Sequence, residues 1–293
     1  MHDQAETLRR KLKADHDHPN AKVYAVVSGK GGVGKSNFSL NLALSLSENG
    51  GKVLVVDLDI GMANLDILMG VNSRYNIADL IENHLPITDI IEKGPGNLHY
   101  IAGGNGLNGL VEISQMQFDH FCEQVSILQS EYDYILFDMG AGATKESLQF
   151  IVSADEVLLL VTPEPTAITD GYAMLKHIHN LSPELDVSII VNRIESAQEG
   201  DQVGGRLKMA AKQFLHKSIT VKGAIPEDRN VFLAVKDQKP YLIRFPNSKA
   251  ARAVRGIAAL LLNEMERTVN LEPHGQSFLS RFKRYFQKRQ VMR

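Results

Sequence analysis

The sequence predicts an α/β protein: a doubly wound, mostly parallel sheet with helices on both faces, plus a polar N-terminal extension and a C-terminal amphipathic helix. Short apolar runs rich in β-branched residues alternate with helical patterns along most of the chain. The runs are almost continuously apolar, as expected for parallel strands covered on both faces. A glycine-rich segment joins the first such run to the first helical pattern.

Val23-Tyr24-Ala25-Val26-Val27 reads as the first strand. The helix after it spans 37–48, with Phe38, Leu42 and Leu46 at near-helical spacing and Asn49-Gly50-Gly51 as a stop. Further strands are expected at 53–56, 99–102, 134–137, 156–161, 187–191 and 221–225, and further helices at 113–129, 167–180 and 249–266. The chain has 293 residues, 44% of them hydrophobic, enough for one large domain over 21–267. Residues 1–20 are polar and end in Asp15-His16-Asp17-His18-Pro19-Asn20. Residues 268–277, with Asn270, Pro273 and Gly275, read as a linker.

Net charge is -2, so the composition does not point to a nucleic-acid binder. A single cysteine, Cys122, excludes an internal disulfide frame and a cysteine-rich metal site, and fits a reduced cytosolic compartment. The segment Met1-His2-Asp3-Gln4-Ala5-Glu6 has no apolar core of a secretory signal. No run of about 18 apolar residues exists to span a membrane.

The segment Gly29-Lys30-Gly31-Gly32-Val33-Gly34-Lys35-Ser36 fits G-x-x-x-x-G-K-[ST], with strand before and helix after. Glycines let successive N–H groups point into one nest, and the helix turns its positive dipole end to the same spot. A nucleoside triphosphate with Mg²⁺ suits such a cradle. Lys35 is expected on the β- and γ-phosphates and the Ser36 hydroxyl on the metal. Two strands end in carboxylates, in Asp57-Leu58-Asp59-Ile60-Gly61 and in Asp138-Met139-Gly140-Ala141-Gly142. Asp57 and Asp59, two apart on an extended segment, share one face.

The loop, with its second lysine Lys30, resembles the deviant Walker A motif of the MinD/ParA family of dimerising ATPases, over about residues 22–265. The resemblance implies slow ATP hydrolysis coupled to a monomer–dimer switch. Lys30 would reach the partner's ATP, Asp59 would orient the attacking water, Asp57 would stand in the metal's outer shell, and Asp138 would be the Walker B carboxylate. It places Asn37 with the loop at the nucleotide, and Asn192, Pro226 and Asp228 around adenine. Gly140 departs from the family pattern, which usually has proline there.

Phe278, Leu279, Phe282, Tyr285 and Phe286 fall on one helical face about 120° wide. Six Lys/Arg and no acidic residue lie between His274 and Arg293. Residues 278–293 therefore read as a basic amphipathic helix that binds anionic lipids, weakly alone and better as a dimer pair. Packing on the protein's own core is the other reading of the same pattern.

Asp3-Gln4-Ala5-Glu6-Thr7-Leu8-Arg9 resembles the activating segment of the flagellar branch of the family, called FlhG, YlxH or FleN. That resemblance implies that Asp3, Gln4, Leu8 and Arg9 stimulate an FlhF-like GTPase of the signal-recognition type. It also implies contact with flagellar switch-complex proteins and reversible residence at the inner face of the cell membrane. A MinD-type division-site regulator, a ParA-type DNA-partitioning ATPase and a catalytically silent nucleotide sensor are the alternatives.

Overall fold

The computed structural model describes residues 20–59, 64–83, 85–104, 115–269 and 277–291. The N-terminal segment with Asp3, Gln4, Leu8 and Arg9 lies outside them, as does most of the expected 268–277 linker.

Strands β1 (Lys22–Val27), β2 (Val53–Leu58), β3 (Glu92–Lys93), β4 (His99–Ile101), β5 (Tyr134–Met139), β6 (Glu156–Val161), β7 (Asp186–Ile194) and β8 (Thr220–Pro226) form one sheet among the described residues. Its order is β3-β4-β2-β5-β1-β6-β7-β8. All neighbours are parallel except β3 and β4. β3 carries the charged pair Glu92-Lys93 at the sheet's edge, so it has no apolar run by which the sequence could announce it.

The helices are α1 (Lys35–Glu48), α2 (Leu65–Met69), α3 (Ile77–Glu82), α4 (Ile87–Ile90), α5 (Gln115–Glu131), α6 (Lys145–Ser153), α7 (Pro165–Leu181), α8 (Ala197–Leu215), α9 (Arg229–Lys236), α10 (Tyr241–Arg244), α11 (Lys249–Val269) and α12 (Phe278–Val291). Side chains alternate along β1. Val23, Ala25 and Val27 enter a core layer shared with α5 to α8 and α12. Tyr24 and Val26 enter the opposite layer, shared with α1 and α11. Both faces of β1 are therefore dry, which explains its unbroken apolar sequence.

Helix α12 does not present a free apolar face. Phe278, Phe282 and Phe286 are only 1%, 2% and 7% exposed. The Phe286 ring stacks on Phe118 of α5 at 3.7 Å between centroids. Phe282 lies 4.8 Å from Phe150 of α6, and Phe278 lies 5.2 Å from Phe137 of β5. Leu279 and Tyr285 are half-buried against the same layer. Arg281 Nε donates to the Ser153 carbonyl at 2.8 Å, and its guanidinium pairs with Asp155 at 2.5 Å. Each buried phenylalanine contributes about 2–3 kcal/mol. The groove between α5 and α6 thus takes the face that the sequence reading assigned to lipid.

Candidate nucleotide site

β1 pairs with β5 on one side and β6 on the other, and the chain's crossovers diverge from it. Ligands of such sheets bind beyond the strand carboxyl ends at this switch point. The loop Gly29–Ser36 leaves β1 there. Gly34 caps α1 with φ 95°, a left-handed conformation that suits glycine. Gly29 is needed for close approach: a Cβ there would sit 2.2 Å from the Asp170 carbonyl oxygen of α7.

Lys35 is buried, and its Nζ lies 3.4 Å from Asp138 Oδ1. Asp138 is fully buried at the end of β5, and Ser39 Oγ donates to the same oxygen at 3.0 Å. Sequence reasoning missed Ser39, although its position one helical turn after Lys35 puts both on one face of α1. Asp57 stands opposite Asp138 in the β2–β5 register. Its Oδ1 accepts the Asp59 amide at 2.9 Å, and its Oδ2 accepts the Asn64 and Leu65 amides at 3.1 and 3.4 Å. Burial, then the Asp138 carboxylate, push the Asp57 carboxyl up to about 7 against those amides. Burial also raises Asp59; Lys35 opposes this and Asp138 reinforces it.

Gly140 lies beside Asp59, and a Cβ on residue 140 would come within 3.1 Å of Asp59 Oδ1. The departure from proline is thus matched by the tight fit of this carboxylate.

The donor set fits Mg²⁺ held jointly with phosphates. Asp138 Oδ2 is buried and has no hydrogen-bond partner. Ser36, in the first turn of α1, lines the same hollow as Lys35 and Asp59. Asp57, with both oxygens engaged by amides, fits an outer-shell place. Among the described residues no cluster of three His, Cys, Asp or Glu could hold a metal alone.

Lys30 does not hang free. Its ammonium pairs with Glu164 and donates to Thr166 Oγ1 at 3.1 Å, at the start of α7. The hydrogen bond and charge of Lys30 hold the exposed Glu164 carboxyl below the usual range. Glu164 and Thr166 escaped the sequence reading; their place after β6, at the carboxyl edge beside the loop, was the available signal.

Two adjoining hollows share Gly34, Asn37, Arg193 and Val235. One of about 630 Å³ surrounds the loop and Asp59. The other, of about 450 Å³, is lined by Asn192, Pro226, Asp228 and Phe232 and suits a base. Asn192 Nδ2 donates to the Val33 carbonyl at 2.7 Å. Asp228 is committed elsewhere: one carboxylate oxygen caps α9 through the Asn230 amide at 2.9 Å, and the other accepts the Ala250 amide at 3.2 Å. It shapes the base hollow by fixing α9 to α11.

Fold and site together define a P-loop nucleoside triphosphatase with a second loop lysine. A family model described as an AAA domain matches residues 21–191. The chain is 36% identical over 241 residues to the antiactivator FleN of Pseudomonas aeruginosa, covering 82% of this chain and 86% of that one. It is 36% identical over 267 residues to the flagellum site-determining protein YlxH of Helicobacter pylori, covering 90% of each. The MinC:MinD cell division complex of Aquifex aeolicus aligns with TM-score 0.66 and 26% identity, over 88% of this chain and 100% of that one. The chain belongs to the MinD/ParA family of P-loop ATPases, in its FlhG-type branch.

Proposed function

We propose that this ATPase dimerises on ATP and regulates the number or placement of flagella at the membrane. The observation that carries this reading is the 36% identity, over 90% of both chains, to a flagellum site-determining protein. Backbone N–H groups of Gly31 to Ser36 bind the phosphates, with Lys35 on the β/γ oxygens. Mg²⁺, when bound, would supply positive charge to the terminal phosphates, and Ser36 and, through water, Asp138 and Asp57 are the residues that would hold it. Asp59 orients the attacking water. Lys30 leaves Glu164 and Thr166 for the partner's phosphates, so hydrolysis waits for dimerisation.

Membrane association through α12 requires that helix to leave its groove, since its phenylalanines are buried. Partner contact is supported by the likeness to a MinD that is seen with MinC. The N-terminal segment, through Gln4, stimulates an FlhF-like GTPase.

The test is GTP hydrolysis by a purified FlhF-type GTPase with the full chain, with a chain lacking residues 1–20, and with Gln4→Ala. Stimulation by the full chain alone supports the reading. Equal rates with all three proteins would return the extension to a tail without this activity.

A further inference from the structure

The strand that closes the base hollow carries an irregularity that phosphate-loop chemistry leaves unused. The β7–β8 pairing slips between Asn192 and Ile194. The extra residue, Arg193, has φ 60°, in the left-handed region. Residues with a Cβ rarely adopt that region, and when they do they cluster at functional sites and bulges.

The bulge re-aims the side chain. Val191 and Ile194 both enter the core layer of α5 to α8, although strict alternation would place Val191 and residue 193 on one face. Arg193 is thereby excluded from the core and left exposed at the site mouth. Asn192, tied to Val33, fixes this end of the strand to the phosphate loop. Arg193 lines the base hollow and the phosphate hollow alike. What lies between a base and its terminal phosphates is the ribose and the α-phosphate. A guanidinium there offers a planar fork of donors with a permanent charge.

We propose that Arg193 is a nucleotide-binding residue whose guanidinium holds the ribose–α-phosphate link of an adenine nucleotide, bridging the base hollow and the phosphate loop. This rests on reading the two hollows as one nucleotide site. The direction of the Glu164 shift agrees: after Lys30, the charge of Arg193 also lowers that carboxyl, so the guanidinium faces the mouth.

The experiment is calorimetric titration of the full chain with ADP and with AMP, beside thermal unfolding without nucleotide. Arg193→Gly is the informative variant, because glycine keeps the left-handed backbone while removing the guanidinium, its fork and its charge together. It should bind ADP and AMP about tenfold more weakly, by a similar factor for each. Its nucleotide-free Tm should equal or exceed the wild-type value, because strain is relieved. Arg193→Lys, with charge but no fork, should fall between the two. Unchanged affinity for either nucleotide overturns the proposal, and so does a lower nucleotide-free Tm, which would make Arg193 a support of the fold. Failure of the wild-type chain to bind ADP would instead sink the nucleotide-site reading itself.

Discussion

Lys30 and Glu164 form an ion pair that ties the phosphate loop after β1 to the first turn of α7. The lysine expected to act across a dimer is thus held within its own subunit. Glu164 is exposed, so the pair restrains Lys30 only weakly against solvent.

Glu164→Gln removes the charge that holds Lys30 at home. Sedimentation in ATP should show dimer at a few-fold lower protein concentration than wild type. The carboxyl's depressed pKa means that the pair persists through the usual carboxylate range and is lost as pH falls below it. Falling pH should therefore erase the difference between variant and wild type. An unchanged or weaker dimer at neutral pH would assign Glu164 a different role.

Asp59→Ala keeps the loop, Lys35 and the base hollow intact but removes the carboxylate beside Gly140. ATP binding should persist while hydrolysis falls by at least tenfold, and dimer should accumulate in ATP. A variant that stays monomeric under those conditions would contradict the water-orienting role.

Lys35→Gln deletes the buried cation that faces Asp138. Nucleotide-dependent dimerisation should disappear, since Lys35 is the loop cation that faces its own subunit's β- and γ-phosphates, while Lys30 serves the partner's. Sedimentation that still shifts with ATP would refute this.

Phe282→Ala empties the centre of the aromatic cluster of Phe118, Phe121, Phe150 and Phe278. Chemical denaturation should show a loss of about 3–5 kcal/mol. If α12 were instead a free, solvated helix, the loss would be close to nil. Liposome flotation of the wild type with anionic vesicles, with and without ATP, tests whether the helix leaves the groove: ATP-dependent flotation is expected.

Asp228→Ala removes the cap of α9 and its tie to α11. The cost should be about 1 kcal/mol, the usual worth of an N-cap. The amide bonds of Asn230 and Ala250 hold its carboxyl below the usual range against burial. That stability is therefore complete above about pH 4 and is lost as pH falls further. Denaturation curves at pH 7 and pH 3 should differ by less in the variant than in the wild type.

Six of the seven parallel strands were legible as short, mainly apolar runs between turn signals, and Thr220–Pro226, interrupted by Lys222 and Gly223, from Val221, Ala224 and Ile225. The edge strand Glu92–Lys93 was not, because its pairing is its whole signal. At the site, Asp57 and Asp138 were legible as strand-end carboxylates. Their mutual position, opposite one another in the β2–β5 register, arises only when the sheet is assembled. Glu164, Thr166 and Arg193 lie far from the loop in sequence and reach it through strand order.

By itself the sequence determined the phosphate loop, because its geometry is local: eight residues, a strand before, a helix after, and glycines that admit the required dihedrals. Tertiary structure alone decided where the aromatic face of α12 goes. An amphipathic helix has the same pattern whether it faces lipid or a protein groove. Phe118, Phe121, Phe137 and Phe150, from three separate elements, form the groove that settles the choice in this fold.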